Sequence, residues 1–122
     1  MFEERRKFVR MNYTTPVKWK NLATSAEGSS FIIDITKDIS AGGVRMILNT
    51  VLKAGDELYI KFKLPPDKTF NLKGQVKWTK EIELVSEEGD STIYYAGIEF
   101  LDMSDEERDS IDQIVTFFTS SE

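Results

Sequence analysis

A chain of 122 residues, 40% of them hydrophobic, is sized for one domain with one core. It has no Cys and no His, which excludes a disulfide framework and thiolate chemistry and removes the commonest general base and metal ligand. Its net charge of -5 argues against sequence-independent binding of DNA or RNA, which relies on a broad basic face.

No apolar run approaches the ~20 residues of a membrane span. The start, Met1 to Arg10, has no apolar core of a signal peptide, so the expected location is the cytoplasm. Charge is unevenly placed. Arg5, Arg6, Lys7 and Arg10 crowd one short segment, whereas Glu and Asp dominate from Glu81 onward. This pattern fits a local anion site on an acidic body.

In chain order, residues 1–13 are charged and lack a clean period, and are expected to form an arm rather than a strand. Residues 14–122 are expected to form the main body, most of it alternating with period two and ending in a helix. Val17 and Trp19 begin the series. Phe31, Ile33 and Ile35 continue it, as do Val44, Met46 and Leu48 against Arg45, Ile47 and Asn49. Leu58, Ile60, Phe62 and Leu64 form the next apolar face, then Leu72, Val76 and Trp78, and Ile93 to Phe100 make a last strand. Turn chemistry separates them at Gly28-Ser29-Ser30, Lys53 to Asp56, Pro65 to Lys68 and Glu87 to Asp90.

About six short strands without intervening helices predict an all-β, antiparallel, Greek-key-like barrel, whose closure removes exposed edges. One helix is predicted over about 104–118. Ser104 is its N-cap, and Glu107 completes a capping box. Ile111, Ile114, Val115 and Phe118 form its apolar stripe. Asp102, Asp105 and Glu106 are explained by the helix start rather than by a metal site.

Two motifs carry chemistry. Arg6 and Arg10 form an Arg-x-x-x-Arg, with Arg5 just ahead. Guanidinium forks pair with phosphate oxygens and match the acceptor edge of guanine. The same spacing also describes a solvated basic tail. Asp38-Ile39-Ser40-Ala41-Gly42-Gly43 supplies a carboxylate and a hydroxyl that suit the donor edge of guanine. Gly42 and Gly43 allow positive φ and close approach of the backbone to a ligand. Both polar residues also serve a simple turn.

Taken in order, these motifs, Gly74-Gln75-Val76-Lys77-Trp78 and Tyr95-Ala96-Gly97-Ile98-Glu99-Phe100-Leu101 resemble the PilZ domain family over nearly the whole chain, from Glu4 to about Phe118. The resemblance implies a bacterial, non-enzymatic module that binds the second messenger cyclic di-GMP. Arg6 and Arg10 would contact phosphates and guanine, Asp38 and Ser40 a guanine edge, and Gly43 would shape the turn. The resemblance extends to Arg5, whose counterpart accompanies a stacked ligand dimer. Gly42, Arg45 and Trp78 could line the site, although a solvated strand position suits Arg45 and core packing or the barrel rim suits Trp78.

No metal or cofactor other than this ligand is implied. Ligand binding is expected to order the arm and signal to an unidentified protein partner in motility, exopolysaccharide or pilus machinery. The motif begins almost at Met1, leaving no room for a preceding domain in this chain. Two rivals stand beside this expectation. One is a PilZ-like protein-interaction module without nucleotide. The other is a barrel binding single-stranded nucleic acid through Lys61, Lys63, Lys73 and Lys77, which the acidic balance disfavours.

Overall fold

The structure, a computed structural model, describes residues 8–23 and 31–120. Arg5, Arg6 and the expected turn at Gly28-Ser29-Ser30 lie outside the described residues. The elements run β1 (Arg10–Asn12), β2 (Pro16–Asn21), β3 (Ile32–Ser40), β4 (Gly43–Leu48), β5 (Glu57–Leu64), β6 (Lys68–Leu84), β7 (Ser91–Leu101) and α1 (Asp105–Ser120).

All pairings are antiparallel. The order β3-β2-β5-β6-β7-β4 closes through a β3–β4 pairing, giving the expected six-stranded barrel. The extra strand β1 pairs with the end of β3, Arg10 opposite Ser40 and Asn12 opposite Asp38. The end of the expected arm is therefore a strand, pinned by the buried Met11 between two exposed neighbours. Three residues sufficed for this, too few to show a period.

β1 and β2 lie on the same edge of β3, interrupted at Tyr13–Thr15. Thr36, fully buried, bridges the break. Its hydroxyl donates to the Tyr13 carbonyl at 2.6 Å and accepts from the Thr15 N–H at 3.0 Å. The interruption thus leaves no orphan backbone group at that point.

The core is built by the inward sets of each strand. Phe62 stacks against Phe70 and Phe100, with ring centroids 5.8 and 6.1 Å apart. Trp19 is buried, and its indole N–H donates to Asp34 at 2.9 Å, which satisfies a carboxylate inside the barrel. The face of β3 differs from expectation. Ile33 and Ile35 are 61% and 39% exposed, while Asp34 and Thr36 point inward. Thr36 is paired with the buried Met46, and Ile35 with the outward Ile47, so the register sets the face rather than hydrophobicity.

β6 runs further than its apolar pattern predicts. Its end, Thr79–Leu84, pairs with Ser91–Ala96 in a ribbon but is itself mostly exposed and has no core face to signal. The ribbon reverses through Gly89, at φ 125°, a conformation that favours glycine.

The helix starts as predicted. Glu107 N–H donates to Ser104 Oγ at 3.0 Å, and Ser104 N–H to Glu107 Oε1 at 3.1 Å. Ile111 and Val115 are fully buried. Phe118, expected in the same stripe, is 40% exposed; it borders a hollow beside β1 and Pro65 and packs edge-on to Phe117. α1 lies against β1 and β3, so the helix rests on the strand that carries Arg10.

Thr36→Val keeps the shape but leaves the Tyr13 carbonyl and the Thr15 N–H unpartnered. It is expected to lower unfolding free energy by about 1–3 kcal/mol in urea titration, with the barrel still formed.

Candidate functional site

Two β-bulges build the site. In β3, Thr36 pairs with Met46 and Asp38 with Arg45, so Lys37 is an extra residue. In β6, Val76 pairs with Ile98 and Trp78 with Gly97, so Lys77 is extra. An extra residue reverses which face the following side chains take. Asp38 and Ser40 thereby turn outward while Ile39 enters the core, and Trp78 turns outward after the inward Val76. Because Arg45 also pairs with Gly97, one row crosses four strands: Asp38, Arg45, Gly97 and Trp78.

This row borders a cleft of about 710 Å³ whose lining includes Arg10, Ser40, Gly43, Arg45 and Trp78. That volume lies within the range of small-molecule sites. Phe8, Gly42, Lys77, Ile98 and Glu99 complete its walls. Lys77 and Glu99, on the adjacent strands β6 and β7, pair at 3.3 Å.

Asp38 sits behind the cleft rather than in it. It has no solvent exposure. Arg10 Nη1 donates to its Oδ1, and Arg45 donates to its Oδ2 through Nη2 and, at 2.7 Å, through Nε. The two arginine side chains remain 40% and 38% exposed, on the cleft side. Burial pushes the Asp38 carboxyl up, but the hydrogen bonds and charges of Arg45 and Arg10 outweigh it and hold the group below its usual range. The same pairing raises Arg45 above its ordinary value.

Ser40 is nearly buried, and its Oγ accepts the Gly42 N–H at 3.1 Å, the local turn bond open to this residue type. The glycines work differently from expectation. Neither Gly42 nor Gly43 has positive φ. Gly43 is required by space, since a Cβ there would lie 2.2 Å from the Ile98 carbonyl oxygen of β7. Gly42 has room for one, with its nearest neighbour, Phe8, 3.5 Å away.

The structure thus gathers Arg10, Asp38, Ser40, Gly42, Gly43, Arg45 and Trp78 in one place; Arg5 and Arg6 lie outside the described residues. Arg45 does not occupy a merely solvated strand position, and Trp78 is not in the core but 40% exposed at the cleft. Gly97, Lys77 and Glu99 were not assigned to this site from sequence. A glycine inside an apolar strand was the available signal for Gly97. A Cβ there would lie 2.3 Å from Trp78 Nε1, so its absence makes the seat on which the indole lies. No helix of the described residues is long and apolar enough to cross a membrane, and none of their His, Cys, Asp and Glu side chains group to hold a metal ion.

The chain belongs to the PilZ domain family, whose model matches residues 4–117. No curated protein matches the sequence. Among solved structures, the fold is similar to the inhibitor of motility MotI/DgrA of Bacillus subtilis, at TM-score 0.73 and 15% identity, covering 98% of this chain and 54% of that one. It is also similar to the PilZ domain of Escherichia coli YcgR, solved with c-di-GMP, at TM-score 0.72 and 17% identity, covering 97% and 94%. A third is the MrkH–c-di-GMP complex of K. pneumonia, at TM-score 0.72 and 18% identity, covering 98% and 53%. The chain spans about half the length of MotI and MrkH.

Two outcomes follow from this geometry. Gly43→Ala should lower the melting temperature, because backbone on β7 must yield, whereas Gly42→Ala should leave it unchanged; calorimetric melting compares them. Asp38 supplies stability that is complete above its unfolded value, near 3.8, and lost as pH falls through its lower folded value. Denaturant midpoints from pH 5 to pH 2 should therefore fall less steeply for Asp38→Asn than for the parent, although the variant is weaker at pH 7.

Proposed function

We propose that the cleft binds cyclic di-GMP and that the domain is a sensor or effector module rather than an enzyme. One observation carries it: the residues of both motifs that lie within the described chain converge on a single cleft, with Asp38 directly behind its arginines, although 28 positions separate Arg10 from Asp38. The similar structures of the YcgR PilZ domain and of MrkH hold the same ligand.

The pairing of Asp38 gives a route for exchange. Each carboxylate oxygen serves a different arginine. A guanine presenting its N1–H and N2–H to Oδ1 displaces Arg10, which turns outward to a phosphate or to the guanine acceptor edge. Arg45 stays on Oδ2, so the buried carboxylate remains charged and paired throughout. Ser40 offers its hydroxyl beside this edge. The indole of Trp78, held outward on Gly97, offers a flat face to a base.

Arg6, and Arg5 with it, would be drawn onto the ligand's second side, ordering the segment before β1. Because α1 rests on β1, that ordering would reach the helix and change a surface read by a protein partner. A module that uses the same fold without nucleotide is the alternative.

Titration calorimetry with cyclic di-GMP is expected to show binding at micromolar protein. A blank titration with a folded protein would overturn the proposal in favour of that alternative. Arg6→Ala and Arg10→Ala should each lower affinity by about 10- to 150-fold, the loss of charge-assisted bonds worth ~1.5–3 kcal/mol, with the melting curve still cooperative.

A further inference from the structure

We infer that the outer face of β2, β5 and the start of β6 is a docking surface for an acidic segment of a partner protein that carries bulky apolar side chains. This extends the proposed relay by naming where the partner sits, and rests on that relay to a protein.

The face is ordered by register. One cross-strand row runs Ile33, Lys18, Lys61 and Asn71 over β3, β2, β5 and β6. The adjacent row runs Lys20, Tyr59 and Lys73, with the Lys20 ammonium 4.8 Å over the ring of Phe31. Apolar and cationic side chains thus alternate on a surface that faces away from the core.

Two features are unfavourable for a surface that only meets water. Lys18 and Lys61 stand directly opposite each other, a like-charge pair that weakens a sheet. Among the described residues, Lys18, Lys20 and Lys61 make no ion pair, whereas Lys63 and Lys73 pair with Asp67 and Asp102 at 3.3 and 3.6 Å. Large apolar side chains are also exposed here, Ile33 at 61% and Tyr59 at 50%. On a chain of net charge -5, this concentration of positive charge is local.

The face also holds an anchor point. Phe31, Tyr59, Leu72 and Leu101 border a hollow of about 420 Å³ flanked by Lys61 and Lys73. Two carboxylates on its rim are already engaged, Asp102 with Lys73 and Glu107 with Ser104. The hollow would take an apolar side chain, and Lys61 beside it, with Lys18 and Lys20, would take carboxylates. Tyr59 and Phe31 offer rings to a base, but the exposed branched aliphatics Ile33 and Ile35 beside them do not, and with the net charge of -5 this favours a polypeptide over a single strand. β2 and β5 are paired along both edges, so on them the partner docks through side chains rather than by adding a strand.

The test is a heteronuclear NMR titration of the whole chain, without cyclic di-GMP, using a synthetic peptide of alternating Glu and Leu. Poly-L-glutamate, oligo-dT and anionic phosphatidylglycerol vesicles are measured in parallel. The expected result is shifts at Lys18, Lys20, Tyr59 and Lys61 that spare Ser40 to Arg45. Lys18→Glu should weaken peptide binding at least about tenfold while holding or raising the melting temperature, since it turns a repulsive pair into an attractive one. Tyr59→Ala should weaken the peptide more than poly-L-glutamate. No shifts up to about 1 mM peptide, or binding untouched by Lys18→Glu, would overturn the inference. So would tighter binding of oligo-dT or of vesicles. Because no nucleotide is present, failure here leaves the cleft proposal standing, and failure of the cleft leaves this result readable.

Discussion

Side chains on a β-strand alternate strictly, so a residue changes face only where the ladder takes in an extra residue. Lys37 and Lys77 are such residues, one on each side of the central β4–β7 pair. Without the first, Asp38 and Ser40 would point into the barrel and Ile39 into water. Without the second, Trp78 would compete for space in the core. The two bulges fall on the same row, and that coincidence makes one continuous site from four strands. Everything chemical about the cleft depends on it.

The second dependence is electrostatic. A carboxylate with no solvent exposure is costly unless its oxygens are fully paired. Asp38 meets this with two guanidinium groups, from β1 and β4, and so ties the short first strand to the barrel by charge as well as by its ladder. The arginines are themselves half in water on the cleft side. Under the proposed function the cluster is both a structural clasp and a set of poised ligand groups. Exchange of one partner for another keeps the buried charge compensated at each stage.

Much of the barrel was legible because period-two alternation and turn residues are local signals. The helix start was legible for the same reason, as Ser104 and Glu107 lie within one turn. What was not legible depended on register. The outward Ile33 and Ile35 and the inward Asp34 reverse the face that hydrophobicity suggests, and only the pairing with β2 and β4 decides it. The bulges are likewise invisible in a single strand, which is why Trp78 and Arg45 looked like ordinary strand residues. In the loop, the glycine pair was recognisable, but not which of the two the fold needs. Gly43 is needed because the carbonyl of Ile98, 55 positions away, passes where its Cβ would be. The family resemblance supplied what local rules could not, a reason to join two common motifs into one site.

The central claim is that a single cleft, shaped by the two bulges, receives the nucleotide. NMR shift mapping of the whole chain with cyclic di-GMP tests it most directly. The account predicts perturbation of the backbone amides of Arg10, Ser40, Gly43, Arg45 and Gly97, together with the indole N–H of Trp78, while that of Trp19 stays still. Shifts confined to other surfaces, such as the Phe31–Tyr59 hollow, with the Trp78 indole unmoved, would contradict it.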